Sequence, residues 1–246
     1  MRRADTSGLQ FTLVVSFLVC NLKLLCTLMN DDRTDESEAL SVVKQTDTAA
    51  LCCIVKNEDA YIDEWVDYHH ALGFERIYVY DNTDRFEMKQ WGDTKGDFVR
   101  VKHFPGISKQ VKAYVDCAMT IKGEKNSIKW VAFFDVDEFL ILNKHENVAD
   151  FLNDHLKEGS LSINWFMFGT SGKDTYTPQP TTKRFMYRDV VDHRTKSIVR
   201  LEDMDMHRGL KNPHVVYVKN GRQHDTNGKM FKGWSNEGGP TDVAVL

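Results

Sequence analysis

Three apolar runs in this chain each break off at a polar or acidic cluster, and that repetition limits the folds open to it. "AALCCIVKNE" (49–58) ends in Lys56, Asn57 and Glu58, and "ERIYVYDN" (75–82) ends in Asp81 and Asn82. "WVAFFDVDEFL" (130–140) passes from Trp130–Phe134 straight into Asp135, Asp137 and Glu138. Short apolar runs rich in β-branched and aromatic residues read as strands buried on both faces. Such strands cannot hold unpaired carboxylates, because desolvating even one is costly. The acids therefore emerge at the strand ends, into water or onto a cation.

Helical patterns separate the runs. In "DAYIDEWVDYHHALG" Ile62, Trp65, Val66 and His69 fall at helical spacing, and Gly73 makes a stop. "DFVRVKHF" is a further strand, closed by Pro105 and Gly106. "ISKQVKAYVDCAMTIKG" reads as a helix with Val111, Tyr114, Val115 and Ala118 on one face. This alternation predicts an α/β domain with a mainly parallel central sheet flanked by helices. Ligands of such sheets collect outside the carboxyl ends of the strands. Lys56 to Glu58, Asp81 to Asn82 and Asp135 to Glu138 all reach that edge. Asp135 and Asp137 are two apart and project from the same side, with Val136 facing the other way, and they repel each other unless a cation intervenes. Oxygen ligands of this kind suit magnesium or manganese, with water and ligand phosphate filling the remaining positions. A solvated acidic turn is the plain alternative.

Phe11 to Met29 form an apolar stretch behind Arg2 and Arg3, close to the ~20 residues that cross a bilayer. It predicts a signal-anchor at 11–29 after a cytosolic tail at 1–10, then a polar flexible stem at 30–48 and a luminal domain over 49–246. A cleaved signal peptide, followed by secretion, is the competing reading. Net charge is -4, and the basic residues are spread along the chain, so nucleic acid is not an expected partner. Cys52, Cys53 and Cys117 lack zinc-type spacing and allow at most one disulfide.

Taken together, "CCIVKNEDAYIDEWVDYHHALGFERIYVYDN" and "WVAFFDVDEFL" resemble the glycosyltransferase family 2-like and family 92 group. Gln110 with Tyr114 and Cys117, "NWFMFGTSG", "KSIVR" and "NPH" extend the resemblance from Leu51 to about Gly228. It implies a GT-A fold that moves a sugar from a nucleotide diphosphate, here a UDP-sugar with galactose as the guess, to a glycan on protein or lipid with inversion. It also implies a Mn2+ or Mg2+ cofactor and a single-pass type II Golgi protein.

On that resemblance Asp137 binds the metal, and Asp135 faces the ribose and the metal's water shell. Glu138 completes the DxDEF pattern or holds neighbouring backbone. Lys56, Asn57, Glu58 and Asp81 frame the nucleotide, although Lys56 also reads as an ordinary surface lysine. His214 in "NPHVVY" is the expected third metal ligand, with His207 its rival, and His69 and His70 are structural. Lys196 and Arg200 are candidates for the diphosphate. An inverting transfer needs a carboxylate base. Asp174 is chosen for that role over Asp203 and Asp205, and Trp165 and Phe168 could stack on a sugar. A haloacid-dehalogenase-type phosphatase also uses DxD after a strand, but needs a hydroxyl residue where Phe139 stands. A non-catalytic or truncated binding protein of the same fold would lack turnover.

Overall fold

The computed structural model describes residues 47–173 and 175–246. The expected tail, the span at 11–29, nearly all of the stem, and Asp174 lie outside the described residues. Among the described residues no helix is long and apolar enough to cross a membrane.

The first half alternates as its pattern predicts: β1 (Thr48–Val55), α1 (Ile62–Ala71), β2 (Phe74–Asp81), α2 (Lys89–Thr94), β3 (Val99–His103), α3 (Gln110–Gly123) and β4 (Ile128–Phe133). The second half is richer in strands: β5 (Ile141–Leu142), α4 (Val148–His155), β6 (Ser160–Phe168), α5 (Thr181–Arg184) and the long β7 (Arg188–Arg200). It closes with β8 (Leu210–Asn212), β9 (Val215–Val216), β10 (Gln223–His224) and β11 (Ala244–Val245). Seven strands form one sheet in the order β10-β6-β7-β4-β1-β2-β3. Four of its six ladders are parallel, and β7 runs antiparallel to both its neighbours. The mainly parallel sheet is therefore present, widened by a strand whose direction the pattern did not reveal.

Alternation along β1 sorts the core into two layers. Leu51, Cys53 and Val55 pack with Trp65 of α1 and Phe151 of α4, whereas Ala50 and Cys52 face Tyr114 and Ala118 of α3. The same alternation decides the cysteines. Cys52 is bonded to Cys117 of α3, while Cys53 points to the other layer and stays a buried thiol. The face α3 buries is Ala113, Tyr114, Cys117, Ala118 and Ile121. Val111 and Val115, expected on that face with Tyr114 and Ala118, are only partly buried, packed against its margin. The C-terminal end, which carried no recognisable pattern, supplies β11. That strand pairs with β5, and the Leu246 amide donates to Asn164 O at 3.0 Å.

Candidate active site

The strand before the acids ends at Phe133, and a turn follows, closed by the Glu138 amide donating to Asp135 O at 3.0 Å. Because a turn replaces the expected continuation of the strand, Asp135 and Asp137 do not line up on one side. Asp135 turns inward. Its Oδ1 accepts from Gln110 Nε2 at 2.6 Å and from the Tyr114 hydroxyl at 3.0 Å, both on α3. Its Oδ2 accepts from Lys196 Nζ at 2.7 Å. Lys196 comes from β7, has no exposed surface, and also lies 3.4 Å from Glu138 Oε2. That same Glu138 oxygen receives the Asp135 amide at 2.8 Å, and the Glu138 carbonyl receives Trp65 Nε1–H at 2.7 Å. Glu138 thus holds the turn from both sides, the second of the roles expected for it.

Asp137 is exposed, with no hydrogen-bond partner among the described residues. Charge is unevenly matched here. Asp135 and Glu138 flank the buried ammonium of Lys196, and Asp137 and Glu58 add their charge to the same group of acids. Burial pushes Glu138 up to about 8 against the pull of Lys196, and Asp135 and Asp137 add to the rise. Glu58, at the end of β1, is also raised, by burial first and then by Asp137 and Asp135. The ends of β1 and β4 therefore do share one electrostatic environment. Asn57 enters it through a left-handed bend, φ 60°, and Lys56 and Asn57 are exposed there.

His214 lies just before β9 at the same edge. Its Nδ1–H donates to Thr195 O at 2.9 Å, which leaves Nε2 with a free lone pair. Burial and the neighbouring Lys196 hold its pKa down, so the ring is neutral near pH 7. A neutral imidazole with its second nitrogen so oriented is what a metal requires of histidine. This donor set, an unshared carboxylate, an oriented imidazole and surplus negative charge, fits a hard divalent cation. Among the described residues, however, no three such side chains already converge at metal-holding distance.

Several expected roles are corrected by the geometry. Arg200 pairs opposite Trp130, whereas Ile198 pairs opposite Ala132, so β7 carries Arg200 away from the acidic end. Four residues of strand separate it from Lys196 by about 13 Å, and its guanidinium is engaged by Glu202 and Asp203. Asp81 is fully buried, with Oδ1 taken by the Thr83 amide at 2.8 Å and Oδ2 by Met88 N at 2.9 Å; it shapes the loop after β2 instead of facing a ligand. Asp203 caps Gly159 N, and Asp205 accepts from the His207 and Arg208 amides, so both rival bases are turn-holding acids. His207 is exposed on that turn. His69 is buried between Trp65 O and the Leu140 amide, and His70 stacks on Phe98, both structural as expected. Trp165 packs beside His214 at 5.4 Å between ring centroids, while Phe168 is 45% exposed.

A sequence model of glycosyltransferase family 92 matches residues 49–227. This chain belongs to glycosyltransferase family 92. It is 27% identical over 217 residues to a family 92 protein of Arabidopsis thaliana, covering 82% of this chain and 37% of that one. A family 92 protein of Ricinus communis is 29% identical over 162 residues, covering 63% of this chain and 29% of its own length. The chain thus spans between 28% and 37% of the length of the curated relatives it matches. Among solved structures, S. aureus TarS 1-349 in complex with UDP is 16% identical with a TM-score of 0.38, covering 63% of this chain and 47% of that chain. A likeness so distant positions no residue.

Trp234 was missed in the family 92 sequence. It is 43% exposed, with its ring centroid 6.4 Å from that of His214, and it sits in a C-terminal stretch without periodicity. Pairing of the stretch with β7 brings it to the site: its carbonyl accepts from the Thr195 amide at 3.2 Å, and Asn236 N donates to His193 O at 2.7 Å.

Proposed function

We propose that the chain is a GT-A-type glycosyltransferase that moves a hexose, galactose by this reading, from a UDP-sugar to a glycan on protein or lipid with inversion. The reading includes attachment to the Golgi membrane through residues 11–29, with the catalytic domain luminal. The observation that carries it is the Asp135–Lys196–Glu138 network at the carboxyl end of β4 in a family 92 chain.

The chemistry asks for positive charge where the nucleoside diphosphate leaves. Lys196, fixed by Asp135 and Glu138, is an ammonium held at that edge without freedom to wander. Gln110 and Tyr114 keep Asp135 oriented, so its charge sets where Lys196 points. Asp137 and His214 would hold Mn2+ or Mg2+, which when bound supplies Lewis-acid stabilisation of the departing phosphate. Lys56, Asn57 and Glu58 border the space for the nucleotide. Asp174 is the proposed base: it takes the acceptor hydroxyl's proton as that oxygen bonds to the anomeric carbon and the bond to UDP breaks.

The test is to incubate the full chain with a panel of UDP-sugars, a glycan acceptor mixture and Mn2+, and to measure released UDP and glycosylated product. Product from one UDP-hexose, lost on chelation, is the expected result. Absence of UDP binding by calorimetry would end the proposal. Full turnover by Asp174→Asn would remove that residue as base.

A further inference from the structure

A second surface contrasts with the acidic edge. A cleft of about 540 Å3 is lined by Arg208, Lys211, Arg222 and Lys232, together with Tyr217 and Phe231, and no carboxylate side chain lines it. The chain as a whole carries a net charge of -4, so four cations around one hollow depart sharply from its average. None of the four has an ion-pair partner among the described residues, and the acid nearest Arg208 along the chain, Asp205, has its Oδ1 engaged by the His207 and Arg208 amides. Arg208 lies 3.8 Å over the Tyr217 ring, which keeps its guanidinium flat against the wall. A neighbouring hollow of about 520 Å3 shares Arg222 and adds Lys157 and His224, with Glu158 its one acid. Like charges so arranged repel one another and are relieved by an anionic ligand.

Two of the lining residues adjoin, along the chain, residues of the proposed active site. One wall is β9, whose Val215 directly follows His214; the other ends at Gly233, which directly precedes Trp234. A volume in the range of small-ligand pockets suits a few sugar units. Aromatic rings set among cations suit a ring-bearing polyanion, whose sugar faces can lie on the rings while its anionic groups meet the cations.

We propose that this cleft binds an acidic glycan chain, bearing carboxylate or sulfate groups, and guides it toward the edge that holds His214. The proposal rests on the glycosyltransferase reading for the role of the glycan but not for its binding. The test measures binding of the full chain to a hexameric oligogalacturonate, a sulfated oligosaccharide of equal length and a neutral galacto-oligosaccharide. Vesicles of phosphatidylserine in phosphatidylcholine and UDP are measured alongside. At least one acidic oligosaccharide is expected to bind, weakening as salt rises, with the neutral one much weaker. Lys211→Glu with Lys232→Glu should lower acidic-glycan affinity by at least about tenfold and leave UDP affinity unchanged. Equal binding of the neutral oligosaccharide, no binding of either acidic one, or an unchanged double variant would overturn the proposal. Capture by the vesicles alone, lost in the double variant, would overturn it in favour of lipid headgroups. Acidic-glycan binding without UDP binding would leave the cleft standing and sink the donor reading.

Discussion

Replacing Lys196 with Met removes the only cation that is buried at the acidic edge among the described residues, while keeping most of its volume. Lys196 is 0% exposed, and Asp135 and Glu138 lie 2.7 and 3.4 Å from its Nζ. Removing one partner of a buried pair costs about 3–5 kcal/mol. Asp135 is 37% exposed, so water screens part of the loss, and the lower end, about 3 kcal/mol, is expected. For a unit of this size that is a fall of about 6–12 °C in Tm. The sign with pH follows from Glu138, whose folded pKa of about 8 stands above its ordinary 4.5. A carboxyl raised in this way binds its proton more tightly when folded, so it weakens the fold as pH climbs from the lower value through the upper. Without Lys196 the folded value rises further, so both forms lose stability alike up to about pH 7, and the deficit of the variant widens from about pH 7 to about pH 9, where wild-type Glu138 has ionised and the variant's still holds its proton. Urea melts of Lys196→Met and wild type at both ends of that window measure it. Adding Asp135→Asn to the variant should recover part of the loss. A deficit under about 1 kcal/mol at the upper pH, or one that does not change with pH, would refute the idea that Lys196 neutralises these acids.

Three further outcomes are expected. The Cys52–Cys117 bond spans 65 residues, so the double Cys→Ala variant should lose about 4 kcal/mol in urea melts, and a loss under about 1 would deny the restraint. Burial holds His69 at about 3, below its ordinary 6.5, so its contribution is complete above pH 6.5 and fades as acid charges the unfolded chain. At pH 5.5 that difference is about 1.4 kcal/mol, read as a shallower acid slope in His69→Gln than in wild type; parallel slopes would contradict it. Asp137→Ala should abolish Mn2+-dependent UDP release and His214→Ala should raise the Mn2+ requirement, while an unchanged metal titration in both would remove them as ligands.

What could be read in advance follows the range of each interaction. The β1–α1–β2 and β3–α3–β4 units were legible because periodicity and burial are local, and a parallel sheet puts every strand's carboxyl end on one edge. That rule alone gathered Glu58 and the DxDEF acids. The separation of Asp135 from Asp137 was not legible, since it turns on where β4 ends and on Gln110 and Tyr114 reaching across from a helix. Lys196 and Arg200 looked equivalent four residues apart, and only the antiparallel direction of β7 decided which faces the acids. Trp234 meets Thr195 across 39 positions of chain, and the basic cleft is folded from the stretch 208–233, whose short strands leave no pattern. Local sequence determines which elements form and where their ends are charged, whereas strand direction and long-range hydrogen bonds decide which charges meet.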